Sequence, residues 1–330
     1  MKGTNAILSD RHFRPLSELN LMDNFLFQTI VSQKEDGETF CRILLSTILG
    51  KPIRKVRIVP QLSILGNDVD RHGIRMDAYV EDISEEELNG CTMADAEIIP
   101  DIYDIEPNND YEKKSLPNRM RYYQSLIDSK NLESGVSYEK LPRVIIIVIL
   151  PYDPFGKNCM LYTIKNQCVE DNTISYEDGA AKIFLYTKGI EGNPSQKLLD
   201  MLKYIENTTT ENVTNEDIHT IHTFVEKAKH QKEVGINYMK IWEEKYILRK
   251  EAFEEGREEG RKESIKALEA ERQKSINALE AERQKSINAL IEVCQNFGQT
   301  WDTAVSTIIE KFELSRDDAE HYVNTYWKTK

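Results

Sequence analysis

The chain has 330 residues, 40% of them hydrophobic and 30% charged, with a net charge of −13 and a pI near 5.1. That length is enough to bury the core of one large domain and a smaller one. The acidity excludes whole-surface affinity for nucleic acid, which needs a basic face, but leaves room for a local basic groove.

The N-terminal stretch MKGTNAILSDRHFRPL has no continuous apolar run, so no signal peptide is expected, and residues 1–20 read as an arm. LMDNFLFQTIV (21–31) and ETFCRILLSTIL (38–49) are apolar at helical spacing, the second stopped by Gly50-Lys51-Pro52. IRKVRIVPQLSIL (53–65) alternates as a strand does. GIRMDAYVED (73–82) predicts another strand, with Ile74, Met76, Ala78 and Val80 on one face and Arg75, Asp77 and Tyr79 on the other. The acidic residues 83–99, with the turn signal Asn89-Gly90, read as a long excursion within a hairpin whose second strand is 98–106. A helix is predicted over 116–132, a strand buried on both faces at PRVIIIVILPYDP (142–154), and two more strands at 160–166 and 181–189. The run VIIIVIL is far too short to span a bilayer, so no membrane segment is expected.

Beyond 190 the pattern is helical. Residues 195–207 and 215–256 are amphipathic, and SIKALEAERQK (264–274) recurs as SINALEAERQK (275–285) and SINAL (286–290). This period of eleven keeps Ile265, Leu268, Ile276, Leu279, Ile287 and Leu290 on one helical stripe, as in a straight or right-handed coiled coil. Two apolar residues per eleven make a thin seam, through which the helix can self-associate. The last segment reads as two short helices, the second capped by Ser315. The chain thus divides into an α/β domain (1–190), a helical region (191–250), a long charged helix (251–292) and C-terminal short helices (293–330). Five cysteines, Cys41, Cys91, Cys159, Cys168 and Cys294, lie far apart with no CxxC, which fits a reducing cytoplasm better than a disulfide framework or a zinc site.

The chemistry concentrates in IYDIEPNND (102–110). On a strand, Asp104, Glu106 and Asn108 line one face. Asp77 and Glu106, on adjacent strands and facing the same way, form the pair of carboxylates that holds a hard cation such as Mg²⁺. Asp104 on the same face is a spare ligand or, as is expected of a carboxylate on a strand face, a solvated neighbour. Lys113, Lys114, Arg119 and Arg121 follow closely, as a phosphate-contacting patch or a solvated helix start. Of the adjacent Tyr122 and Tyr123, one packs and one faces the site or solvent. His219 and His222 are three apart on a helix with no third ligand nearby and read as ordinary helix residues.

The order of LMDNFLFQTIV with Asp23, GIRMDAYVED with Asp77, and YDIEPN with Glu106, followed by RMRYYQSLIDSKNLESGVSYEKLPRVIIIVIL and the charged EEGREEGRKE, resembles the PD-(D/E)XK phosphodiesterases. More closely it resembles the Rpn-type recombination-promoting nucleases, the PD-(D/E)XK nuclease family transposases, over about residues 19–190. The resemblance implies a restriction-endonuclease-like mixed sheet flanked by helices. It implies Asp77 and Glu106 as ligands of Mg²⁺ (or Mn²⁺ or Ca²⁺), the Pro107 carbonyl as a third, Asp23 near the metal, and DNA as substrate in a recombination, mobile-element or defence setting. Tyr123 joins the basic residues as a nucleic-acid contact. The broad superfamily has Lys two positions after the Glu, and this family commonly Gln; this chain has Asn108, which orients water but supplies no positive charge. The alternative from another class is a nuclease fold without turnover that binds nucleic acid or protein and assembles through its helical tail.

Overall fold

A computed structural model of the protein describes residues 13–64, 73–83, 99–111 and 113–327. The chain forms two compact units, Met1–Glu244 and Lys245–Lys330.

In the first unit the helices α1 (Asn24–Val31) and α2 (Lys34–Leu49) precede the sheet. Leu26, Phe27, Ile30 and Val31 give α1 one buried face, and α2 stops where Gly50 takes φ 65°, the left-handed region that glycine enters without strain. A mixed six-stranded sheet follows, in the order β1 (Val56–Pro60), β4 (Ala78–Asp82), β5 (Asp101–Pro107), β6 (Val144–Leu150), β8 (Ala180–Tyr186), β7 (Leu161–Ile164). β1, β4 and β5 pair antiparallel, β5, β6 and β8 parallel, and β7 closes the far edge antiparallel. All seven residues of the central β6 are buried, as its unbroken apolar sequence requires. The helix α3 (Leu116–Asn131) joins β5 to β6, and α4 (Gln196–Glu206) and α5 (Glu216–His230) follow the sheet. Alternation along β5 splits the core. Tyr103 and Ile105 pack on the side of α1, α2, α4 and α5, while Ile102 packs with Met120, Leu126 and Ile127 of α3 on the other. Asp104 and Glu106 therefore point to the α3 face.

Three expectations are corrected. The single strand over 73–82 is two pieces. β3 (Ile74–Arg75) pairs with β2 (Ser63–Ile64) in a ribbon of its own, and the ladder is interrupted at Gln61–Leu62 opposite Met76–Asp77. Gln61 has φ 53°, and among the described residues the backbone bonds that bridge the gap are Met76 N to Leu62 O (3.0 Å) and Gln61 N to Asp77 O (3.4 Å). The kink breaks the alternation, so Ile74 and Met76 pack beneath α3 with Tyr79 while Ala78 and Val80 face the other core. Residues 13–20 are no free arm: Phe13 packs edge-on against Trp242 at 5.6 Å, and Leu19 is buried. Asp104 is not solvated; it is fully buried. The rest of the expected arm, and residues 84–98 of the excursion with its Asn89-Gly90 turn, lie outside the described residues.

The helix α6 runs without a break over Lys232–Asn296, followed by α7 (Trp301–Phe312) and α8 (Arg316–Tyr326). In the second unit, Ile287 and Ile291 of α6 pack with Val305 and Ile308 of α7 and Val323 of α8. Ser315 Oγ accepts from Asp318 N at 3.2 Å and caps α8, as its position predicts. Among the described residues, no helix is long and apolar enough to cross a membrane.

Candidate active site

The register Ala78↔Ile105 and Tyr79↔Asp104, carried one residue further, sets Asp77 opposite Glu106. The two meet there: the Asp77 N–H donates to a Glu106 carboxylate oxygen at 2.8 Å. Both side chains are buried, and Asp104, on the same α3-facing side of β5, is fully buried. No N–H or hydroxyl among the described residues donates to either oxygen of Asp104. Its neighbour is the Glu106 carboxyl, and a bond between two carboxyls needs a proton on one of them.

All three buried acids hold their protons above the usual carboxylate range, Glu106 and Asp104 well above it. For Asp77 the cause is burial, opposed by a hydrogen bond from Gln28 and the charges of Arg75 and Arg119. Burial, followed by the charges of Asp104 and Asp77, raises Glu106. Asp104 is pushed up to about 8, by burial first and then by Asp77. Arg119 is the cation that acts on all three.

Arg119 and Tyr123 stand one turn apart on α3, the guanidinium 5.7 Å from the ring centroid. Burial and the negative charge of Glu106 push the Tyr123 hydroxyl up to about 12, so Tyr123 is the tyrosine that faces the acids, while Tyr122 is exposed. Arg121 is on another flank of α3, where it lines a cavity of about 660 Å³ with Gln124, Asp128 and Lys182. Lys114 is exposed, and Lys113 lies near Gly156. Of the four expected basic residues, then, Arg119 is the one tied to the acids.

Pro107 ends β5 opposite Ile149. Asn108 follows it, buried; its Oδ1 accepts from Asp110 N at 2.9 Å, and its Nδ2 has no partner among the described residues. Asp23 sits at the N-cap of α1 without capping it. Its carboxylate accepts from Asn20 N at 2.9 Å and pairs with Arg14 at 3.3 Å, and these contacts do not join it to the three acids. His222 bonds the Tyr204 hydroxyl at 2.8 Å, as an ordinary helix residue does.

Sequence reasoning missed the residues that hold Asp77. Gln28 Nε2 donates to Asp77 Oδ1, Gln61 Nε2 donates to Gln28 Oε1 at 2.6 Å, and Arg75 donates to Gln61 Oε1. One signal was present: Gln28 is a polar residue amid the buried Phe27, Ile30 and Val31 of an otherwise apolar helix face.

Among the described residues, no group of three or more His, Cys, Asp or Glu side chains is placed to hold a metal by itself. Mg²⁺ does not need one, since it binds through one or two carboxylates and keeps several waters. Asp104 oxygens without a hydrogen-bond donor, beside two acids that share Arg119, are of the chemistry that a hard cation would fit. Set against protein-family models, curated proteins and solved structures, the chain matches none.

Proposed function

We propose that the chain is a metal-dependent nuclease with a restriction-endonuclease-like core, and that it hydrolyses phosphodiester bonds of DNA. The observation that carries this reading is the set of buried acids Asp77, Asp104 and Glu106 at the adjoining ends of β4 and β5. Protein folds seldom bury acids without cations, because desolvating a carboxylate is unfavourable unless it is paired or ligates a metal.

Asp77 and Glu106 would hold Mg²⁺, Mn²⁺ or Ca²⁺, with the Pro107 carbonyl alongside. A bound divalent ion supplies Lewis-acid neutralisation of charge on the phosphate. The unpartnered Asn108 Nδ2 donates to the attacking water or to a phosphoryl oxygen and so orients it. Arg119 holds the negative phosphate against the acids, and Lys113 and Lys114 steady the backbone of the strand. Gln28 fixes the rotation of the Asp77 carboxylate. By family resemblance, the setting is a mobile element, recombination or defence in the cytoplasm. The exposed stripe of α6 suits pairing with a second copy, which light scattering tests.

Nicking of supercoiled plasmid with Mg²⁺, Mn²⁺ or Ca²⁺ tests the reading, beside Asp77→Ala and Glu106→Ala. Nicking that needs the metal and disappears in both variants supports it. Wild-type nicking that survives both substitutions sinks the site. A nuclease fold that binds without cutting is the second reading. It draws on Asn108, which cannot supply the positive charge of a lysine, and on the lack of a self-sufficient metal cluster among the described residues. Strand binding with no nicking under any ion would favour it.

A further inference from the structure

Two tyrosines meet beyond the C-terminal ends of β5 and β6 without any part in the chemistry above. β5 and β6 run parallel with Pro107 opposite Ile149, so the segments leaving both central strands emerge at the same end of the sheet, the end at which Glu106 lies. Tyr111 leaves from β5 and Tyr152 from β6, and their ring centroids lie 4.9 Å apart with planes at 55°. Tyr152 is packed against the core under α3, whereas Tyr111 is 73% exposed. The inner ring is anchored and the outer ring leans on it, leaving most of its surface to solvent. A ring so exposed gains little from burial, and its contact with Tyr152 restrains it instead of hiding it. Lys113 follows two residues on and lies near Gly156, in the segment that carries Tyr152. An aromatic surface held in place, with cations following it in the chain, is the pairing by which single strands are held: rings for base faces, cations for phosphates.

We propose that Tyr111, braced by Tyr152, is the platform on which an unpaired base of the nucleic-acid substrate stacks next to the carboxylates. The chain would thereby take single-stranded nucleic acid in preference to a closed duplex. This inference rests on the nuclease reading for its substrate class. Its structural basis is separate, since none of the acids belongs to the platform. A base inside a duplex has both faces covered by its neighbours and offers nothing to an isolated ring. A base in a single strand, a gap or a frayed end has a free face.

The test uses the full chain in Ca²⁺ and a fluorescent single strand carrying 2-aminopurine, beside a blunt duplex of the same sequence, with strand integrity checked on a gel. Anisotropy reads affinity, and quenching of 2-aminopurine reads stacking. Tyr111→Ala is expected to weaken single-strand binding about tenfold or more and abolish the quench, and to leave duplex binding unchanged. Tyr111→Phe keeps the ring and is expected to behave as wild type. Equal weakening of strand and duplex, or none, overturns the platform, as does a wild-type chain that binds no single strand. Nicking that needs Asp77 but ignores Tyr111 sinks the platform and leaves the nuclease. Quenching that needs Tyr111 in a protein that never nicks sinks turnover and leaves the platform.

Discussion

The Asp77 N–H donates to the Glu106 carboxylate at 2.8 Å, which binds the end of β4 to β5 through a side chain of the candidate site. Glu106 therefore serves twice, as an acceptor for a buried backbone donor and, once it gives up its proton, as a carboxylate for a cation. Glu106→Gln keeps an acceptor oxygen and removes the charge, so it is expected to melt near wild type and not to nick. Glu106→Ala leaves the N–H unpaired and is expected to lose about 1–3 kcal/mol as well. Urea denaturation of both variants checks this; equal losses would mean that the bond does not support the strand end.

Burial raises the Asp104 pKa and sets the sign of an expected pH dependence of the fold. The folded protein keeps this proton up to about pH 8, while the unfolded chain releases it near the ordinary 3.8. The stability tied to the group is complete below about pH 4 and is lost as pH climbs towards 8, by about 1.4 kcal/mol per pH unit while one proton separates the states. In EDTA, the urea midpoint is expected to fall between about pH 5 and pH 8, and less steeply in Asp104→Asn. The slope does not vanish in the variant, because burial also raises Asp77 and Glu106. Added Mg²⁺ should restore stability most at the alkaline end, where the acids lose their protons. Identical slopes for wild type and variant would show that Asp104 is not held protonated.

Gln28 is expected to set metal affinity without touching the metal. Its amide holds Asp77 Oδ1, and Gln61 holds Gln28 in turn at 2.6 Å. Removing an outer partner of a metal ligand typically weakens the metal about 10–100-fold. Gln28→Ala should shift Mn²⁺ binding, followed by calorimetry, by about that factor, and raise the Mn²⁺ needed for nicking in parallel. Gln61→Ala should shift both less, since it acts through Gln28. A Gln28→Ala protein with wild-type Mn²⁺ affinity would remove Gln28 from the site.

The strands, their order along the chain and the pairing of Asp77 with Glu106 were legible because period-two alternation and the unbroken VIIIVIL leave few other arrangements. The break at Met76–Asp77 was not legible. It depends on Gln61 taking φ 53° in the partner strand, and no alternation pattern in 73–82 records what its neighbour does. Asp104 was misjudged for a related reason. A carboxylate on a strand face reads as solvated, and only the packing of α3 over that face puts it at 0% exposure. Gln28, Gln61 and Arg75 come from three separate segments, so their chain of amides exists only in the folded molecule.

The eleven-residue repeat offers the same side chain in two environments. Ile265 and Ile287 hold the same repeat position, yet Ile265 is 48% exposed and Ile287 is 0% exposed beneath α7 and α8. Identical sequence pattern therefore predicts unequal energetics. Ile287→Ala removes buried methyl groups and leaves a cavity, expected to lower the stability of the C-terminal helices by about 2–5 kcal/mol. Ile265→Ala should stay within about 0.5 kcal/mol, as surface substitutions do. Hydrogen exchange of the amides in 301–326, measured in the full chain, separates the two. Faster exchange in Ile287→Ala alone means the stripe over Ile265 is solvated along a single helix. If Ile265→Ala instead weakens protection of its own stretch of α6 in a concentration-dependent way, a second copy covers the stripe in solution, and the repeat is the seam of an oligomer.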